Sequence, residues 1–590
     1  MNQQIRTTLS KTEYGIYFDC TNEPDSTAYN IDLFFKLNKN TDVQKLKKAL
    51  ETTIDAHPYL KLHLTAGDDG TVYKVLSDEP PQVQVEKARE PAFDKKSLVR
   101  PFNLLKDRLY RCRIFQLESS VTIFLEIHHI IFDGASVEVF MRDVDKSYRG
   151  LPLEAESFTG CDVSREEASR LKTAELTKAR EYYNSVFGGC ELDSVMINDK
   201  NDGQAAAKTL YHEFSSFNAA DIKAFCRKLN IKTSAFFCSV YGFVLAKFAG
   251  AEESLFATVY HGRNANLAHT CGMFVKTLPV YCDLQKGGSV AEFLHGLDEQ
   301  LENSRKHDLY SYADLCSELQ IKPPTIFAYQ GDLLENIVFD GEKIAVEELD
   351  APDPKAMVSA ELLRAGGKFS LKFEYRGDLY EETSVKNFLR SFEKAAKEFT
   401  TKDLIDDIDL TDGEQLKALE GFNDTGKDYE ITDIVTLFRR QAEKFPDRPA
   451  VVCQDKSYTY KELDELSEKV GAYLKKFGIG KEDVVSVLIP RCEYMPVASL
   501  GVLKAGAAYQ PLDPSYPTER LEFMMNDAKA KLLIADKALL SRVPGYQGET
   551  LFIEDISSLP KCERSGLVPS PDDLFIMLYT SGTTGIPEGC

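Results

Sequence analysis

Long apolar runs, clusters of basic residues and paired cysteines are all missing from this 590-residue chain, and each absence removes a class of function. No uninterrupted apolar run approaches the roughly 18 to 20 residues that a membrane-spanning helix needs. No apolar leader follows Met1 either, whose neighbours are Asn2, Gln3 and Gln4. A cytoplasmic protein with no membrane contact is expected. Lys and Arg total 71 against 93 Asp and Glu, a net charge of −22, with no basic block, so nucleic acid is not an expected partner. The 13 cysteines are scattered singly, none in Cys-x-x-Cys spacing, which indicates neither a zinc site nor a redox dithiol. Without a secretion signal they read as reduced thiols, and no metal is expected.

What is present is ordinary globular chain: 43% hydrophobic residues, at a length that allows about three or four domains. The stretch that organises it is Ile127-His128-His129-Ile130-Ile131-Phe132-Asp133-Gly134. The run before it, Val121 to His129, is almost wholly apolar, with β-branched and aromatic residues, which predicts a buried strand. Gly134 permits a tight turn, after which Val137, Phe140, Met141, Val144 and Tyr148 recur at helical spacing. Neighbouring side chains on a strand point to opposite faces, so one histidine is expected to face a cavity and the other to pack.

This His-His-x-x-x-Asp-Gly pattern before an amphipathic helix resembles the signature of nonribosomal peptide synthetase condensation domains, relatives of chloramphenicol acetyltransferase. The resemblance marks His129 as catalytic, opening onto a tunnel where two tethered substrates meet, and His128 as orienting it. It makes Asp133 a structural residue, paired with an arginine from the other lobe, for which Arg263 in His261-Gly262-Arg263-Asn264 is the candidate. The Gly134 N–H is a candidate oxyanion donor.

Other segments carry weaker likenesses to the same family. Leu9 to Tyr17 resembles its first motif. A helix capped by Thr41 or Asp42, with Val43, Leu46, Leu50 and Ile54 inward, leads into Asp55-Ala56-His57-Pro58-Tyr59-Leu60, at the place of the second, where His57 reads as a turn residue. Tyr182 to Gly189 resembles the fourth motif. Cys271-Gly272-Met273-Phe274-Val275-Lys276-Thr277 resembles the fifth, with Lys276 where asparagine is common, and His307-Asp308-Leu309-Tyr310 falls at the sixth. Val290, Phe293, Leu294, Leu297 and Leu301 mark a core-facing helix, Phe369, Leu371, Phe373 and Tyr375 alternate as a half-buried strand, and a helix through Val385, Phe388, Leu389, Phe392 and Phe399 closes the region.

The end of the chain resembles the start of an adenylation domain of the acyl-adenylate-forming superfamily. Tyr458 to Leu463, Leu503 to Pro514 and Tyr579 to Gly589 match its first three motifs in order. Thr580, Ser581, Gly582, Thr583, Thr584 and Gly585 would form a loop turning N–H and hydroxyl groups toward ATP phosphates. Glu588 stands where the family usually has lysine, a carboxylate in an unfavourable place for a triphosphate. The ribose-binding carboxylate and catalytic lysine that the family places later lie beyond Cys590, so this polypeptide is not expected to adenylate, and ATP and magnesium would matter only to a complete domain.

The expected architecture is α/β: two chloramphenicol-acetyltransferase-like lobes, residues 1–170 and 171–400, forming a V-shaped condensation domain, a linker over 401–427, and a partial α/β adenylation domain over 428–590. The activity implied is amide formation in secondary-metabolite peptide synthesis. An acceptor amine on a downstream carrier protein attacks a donor thioester on an upstream one, both on phosphopantetheine arms, with no tightly bound cofactor. Other synthetase modules are expected partners, the donor carrier coming from another polypeptide. No Ser-His-Asp or Cys-His arrangement predicts a covalent acyl-enzyme. Ala135-Ser136 after Gly134, and a first histidine in place of aspartate, set the pattern apart from epimerisation and heterocyclisation domains. A non-catalytic carrier-docking module and an acyltransferase using coenzyme A are the competing readings.

Overall fold

The computed structural model describes residues 6–88, 94–188, 195–201, 203, 206–285, 288–350, 356–580 and 588–590. The chain divides into two units, Met1–Asn423 and Asp424–Cys590.

In the first unit, a sheet is built from β1 (Asn30–Asn38), β2 (Val83–Lys87), β3 (Tyr110–Gln116) and β4 (Ser120–His128), with α1 (Val43–Ala56) after β1 and α2 (Gly134–Tyr148) after β4. Every residue of β4 is buried. It lies between β1 and β3 and is covered on both faces, which is why its sequence runs apolar instead of alternating. Ile123, Leu125 and Ile127 enter the core shared with α1 and α2, while Phe124 packs with Phe34 and Phe115 on the other side. The Asp42 carboxylate accepts from the N–H groups of Gln44 and Lys45, which starts α1. The buried stripe of α2 holds Val137, Phe140, Met141, Val144 and Tyr148.

The second sheet of this unit runs in the order β7-β6-β8-β9-β10-β5. Its strands are β5 (Ala207–Glu213), β6 (Glu253–Tyr260), β7 (Lys276–Asp283), β8 (Thr325–Gly331), β9 (Val358–Ala365) and β10 (Lys368–Arg376). Helices α3 (Thr233–Phe248), α4 (Val290–Lys306) and α5 (Glu382–Glu398) pack on it around a core rich in aromatic rings, among them Phe237, Tyr241, Phe327, Phe388 and Phe392. The range 171–400 is not wholly devoted to this sheet. Its strand Ala345–Glu348 pairs with β1 and so extends the sheet that carries β4. The stretch 401–427, expected as linker, contains the helix Gly413–Asn423, and Arg390 of α5 reaches Asp412 just before it at 2.6 Å. Among the described residues no single helix is long and apolar enough to cross a membrane.

The second unit is a parallel sheet flanked by helices α6 (Tyr460–Lys476) and α7 (Tyr494–Ala505). Its strands are β11 (Val484–Leu488), β12 (Ala508–Pro511), β13 (Leu532–Ala535) and β14 (Glu549–Phe552), in the order β12-β11-β13-β14. The two helices are joined by a buried charge: Lys504 Nζ donates to Asp464 Oδ1 at 2.6 Å and to Ser467 Oγ at 2.8 Å, and Glu468 lies at 3.2 Å. Lys504 is fully buried, so removing its ammonium leaves two carboxylates with less compensation. Lys504→Met is expected to destabilise this unit by about 3 kcal/mol. Hydrogen exchange of the α6 amides should accelerate accordingly, while the amides of β4 keep their protection.

A candidate condensation site at the end of a buried strand

The two histidines occupy different environments because β4 ends between them. His128 is its last residue, on the face shared with Phe124 and Glu126. His129 opens a short 3₁₀ turn, His129–Ile131, so the expectation that both lie on the strand is corrected by one residue. The turn is fixed by the His129 N–H, which donates to the Tyr29 carbonyl at 2.8 Å, and by His128 Nδ1, which accepts from the Ile130 N–H at 3.2 Å. His128 is buried at 3% exposure. Its ring meets Phe102 edge-on, and Nε2 lies 3.5 Å from the Cys20 thiol. Burial, followed by the charges of His129 and Arg111, lowers its pKa to about 3. His129 is partly exposed.

Asp133, fully buried, is the junction of the site. Its Oδ1 accepts from the Ser136 N–H at 2.9 Å and so caps α2, and also from Arg263 Nη2 at 2.8 Å. Oδ2 accepts from the Phe274 N–H at 3.0 Å. Arg263 donates further to the carbonyls of Leu267 and Thr270 and to Ser136 Oγ, and its guanidinium stacks 4.7 Å from the Phe274 ring. Ser136 Oγ in turn accepts from the Gly272 N–H at 3.1 Å. One carboxylate therefore ties the turn after His129 to the segment that precedes β7.

A glycine makes this approach possible. Gly262 has φ +57°, and a Cβ there would stand 2.0 Å from the Phe274 carbonyl oxygen. Gly134 is the first residue of α2, at the helix start as expected, and a Cβ there would stand 2.8 Å from Leu333 Cδ2, the end of a flexible side chain.

His57 holds the turn position expected of it and carries a buried contact network as well. It does cap α1 and precede a 3₁₀ turn, yet it is fully buried, with Nδ1 2.5 Å from Glu156 Oε1 and Nε2 3.2 Å from Asp143 Oδ2. Burial opposes its charge, but Cys271, Asp143 and Glu156 outweigh burial and raise its pKa to about 12. Lys276 pairs with Asp308 at 3.0 Å, and Tyr260 bonds the same carboxylate. A cavity of about 490 Å³ lies on the β2 and β3 side of the sheet, lined by Arg100, Arg108, Arg111 and Arg113 among others, and His129 is not in its lining. Thr580 lies in a two-residue strand paired with Glu588–Gly589, while Ser581, Gly582, Thr583, Thr584 and Gly585 fall outside the described residues. Ser136, Phe274, Glu156 and Asp143 were not singled out from sequence. Ser136 stands three residues beyond the capping Asp133, a spacing that could have drawn attention to it.

A two-lobed α/β unit with this His-His turn and buried cross-lobe ion pair defines a class, and the comparisons name it. Residues 3–419 match the family model for the condensation domain, and residues 438–590 that for AMP-binding enzymes. The chain belongs to the condensation domain family of nonribosomal peptide synthetases, with an adenylation-type segment after it. It is 26% identical to bacitracin synthase 3 of Bacillus licheniformis over 98% of its own length and 10% of that protein's. With tyrocidine synthase 2 of Brevibacillus parabrevis it is again 26% identical, over 98% of this chain and 17% of the relative. It thus spans between a tenth and a fifth of these two relatives. Among solved structures, a four-domain nonribosomal peptide synthetase bound to AMP and glycine matches at TM-score 0.78 and 20% identity, over 99% of this chain and 47% of the other. The first condensation domain of the calcium-dependent antibiotic synthetase, in complex with a substrate analogue, matches at 0.59 and 17%, over 70% of this chain and all of that domain. The folds agree with two chloramphenicol-acetyltransferase-like lobes and a partial α/β adenylation domain.

Two outcomes follow from the geometry. Asp133→Asn leaves Arg263 without its buried carboxylate partner, a loss expected to cost about 3 to 5 kcal/mol in urea denaturation, and the double variant Asp133→Asn/Arg263→Met should be less destabilised than the sum of the single ones. For His128 the folded pKa, about 3, lies below the unfolded value near 6.5. The unfolded chain therefore binds a proton in this window that the folded one does not, and stability falls as pH drops from about 6.5 toward 3. His128→Gln should flatten that acid limb by up to one proton, read from denaturation midpoints across the range.

Proposed function

We propose that the first unit forms an amide bond between a donor acyl or peptidyl thioester and the α-amine of an acceptor aminoacyl thioester. Both reactants arrive on phosphopantetheine arms, the donor on an upstream carrier protein and the acceptor on a downstream one. ATP and magnesium belong to the chemistry of the second unit's family. The observation that carries this reading is the placement of His129 on a turn held from both sides, by β4 behind it and by the Asp133–Arg263 pair after it.

A free α-amine has a pKa near 7.7 to 8 and is largely protonated at neutral pH. Loss of a proton during attack commits the tetrahedral adduct to product, and an imidazole near pKa 6.5 suits that transfer. General-base help supplies about 10²- to 10⁴-fold, whereas holding two tethered reactants together supplies ~7 to 11 kcal/mol, so positioning dominates. In this reading His129 takes the proton or orients the amine, His128 stays neutral and keeps the turn in place, and the Gly134 N–H at the start of α2 is assigned to the developing oxyanion.

The test loads candidate donor and acceptor carriers and follows dipeptidyl transfer by intact mass. His129→Ala is expected to slow transfer by about 10²- to 10⁴-fold and leave a slow residual reaction. Transfer at the wild-type rate by that variant, or wild-type activity with acyl-coenzyme A but none with carrier thioesters, would overturn the proposal.

A further inference from the structure

His57, Glu156 and Cys271 come together from three places in the first unit: the end of α1, the connection after α2, and the segment before β7. One ligand atom from each lies within 4.8 Å of the others. All three side chains are buried, His57 and Cys271 at 0% and Glu156 at 1% exposure. Glu156 Oε1 accepts from the Cys271 N–H at 2.8 Å, while Glu156 Oε2 is buried without a hydrogen-bond partner. A buried carboxylate oxygen left in that state is costly unless a cation or donor meets it. The other edge of the imidazole is already engaged: His57 Nε2 lies 3.2 Å from Asp143 Oδ2. A carboxylate behind a histidine whose opposite nitrogen faces other ligands is the arrangement that orients metal-binding imidazoles.

We propose that His57 Nδ1, Glu156 and Cys271 Sγ form a binding site for one zinc-class divalent cation, with Asp143 orienting the imidazole. The donor set selects the metal. Thiolate with imidazole and carboxylate favours zinc and disfavours magnesium and calcium, which prefer all-oxygen sites. Zinc bonds of about 2.0 to 2.3 Å put neighbouring ligands roughly 3.5 Å apart, so the 2.5 Å His57–Glu156 contact opens by about 1 Å as its hydrogen bond gives way to two metal bonds. Binding displaces the thiol proton of Cys271 and the Nδ1 proton of His57, two protons leaving per cation. Because protons leave as the cation enters, affinity climbs with pH. The site is separate from His129 and does not depend on the amide-forming reading.

The test uses the full chain, stripped with a chelator and dialysed against zinc-buffered solutions, with metal counted by plasma mass spectrometry and folding checked by circular dichroism. One zinc per chain is expected, lost in Cys271→Ser and in Glu156→Gln, and bound about 10- to 100-fold more weakly in Asp143→Asn. Cobalt in place of zinc should give a thiolate-to-metal charge-transfer band that Cys271→Ser abolishes. Folded wild-type protein that binds no zinc, zinc bound equally by both ligand variants, or cobalt bound without the thiolate band would each overturn the site.

Discussion

The arrangement around His129 depends on one buried carboxylate. Asp133 is withdrawn from water entirely, and such a charge is tolerated only when its lone pairs are filled. Here they are filled by the Ser136 and Phe274 N–H groups and the Arg263 guanidinium, and these donors come from two sides. The Ser136 contact starts α2, so the direction of the helix is set by the same oxygen that receives Arg263. The Phe274 contact holds the segment leading into β7. Moving either side means uncovering a charge, and the turn between β4 and α2 inherits that rigidity.

Within this frame, environment divides the two histidines. His128 sits on the strand face where Arg111 pairs with Glu126 at 2.7 Å and where Arg111 stacks 3.8 Å from the Phe102 ring. A second positive charge there is opposed by burial and by Arg111, so His128 serves as a neutral, packed group and a hydrogen-bond acceptor for the turn. His129 leaves the strand one residue later and is partly exposed. Adjacent residues of one type thus acquire different chemistry because a strand stops between them, and the stop is enforced by the Tyr29 carbonyl and by His128 Nδ1.

The elements were legible where periodicity was strong. The stripes Val43, Leu46, Leu50, Ile54 and Val137, Phe140, Met141, Val144, Tyr148 are buried on α1 and α2, and the largely apolar run of β4 marks a strand buried throughout. The strand Ala345–Glu348 was not legible, because pairing with β1, some 300 residues earlier in the chain, leaves no local pattern. In the site, local motif spacing drew attention to the histidines and to Asp133, while Arg263 entered only through family resemblance across 130 residues. Ser136, Glu156 and Asp143 are common polar residues whose importance comes from what folding places beside them.

Buried ionic groups recur at seams in this chain. Lys74 meets Glu13 at 2.7 Å with both side chains at 2% exposure or less, Lys504 joins α6 to α7, and His57 sits between two carboxylates. A buried pair can often be replaced by apolar residues at little net cost, so its presence is weak evidence for stability as such. What it does impose is an energetic penalty on partial separation, because a half-open seam strands a charge, whereas a half-open apolar seam loses contact area gradually. Lobes that must hold a cross-lobe turn in register gain more from that steepness than from additional hydrophobic area. The seam at Asp133 and the cluster at His57 both reach α2, through Ser136, which accepts from the Gly272 N–H, and Asp143, which faces the His57 ring, so two buried charge networks hold the same helix.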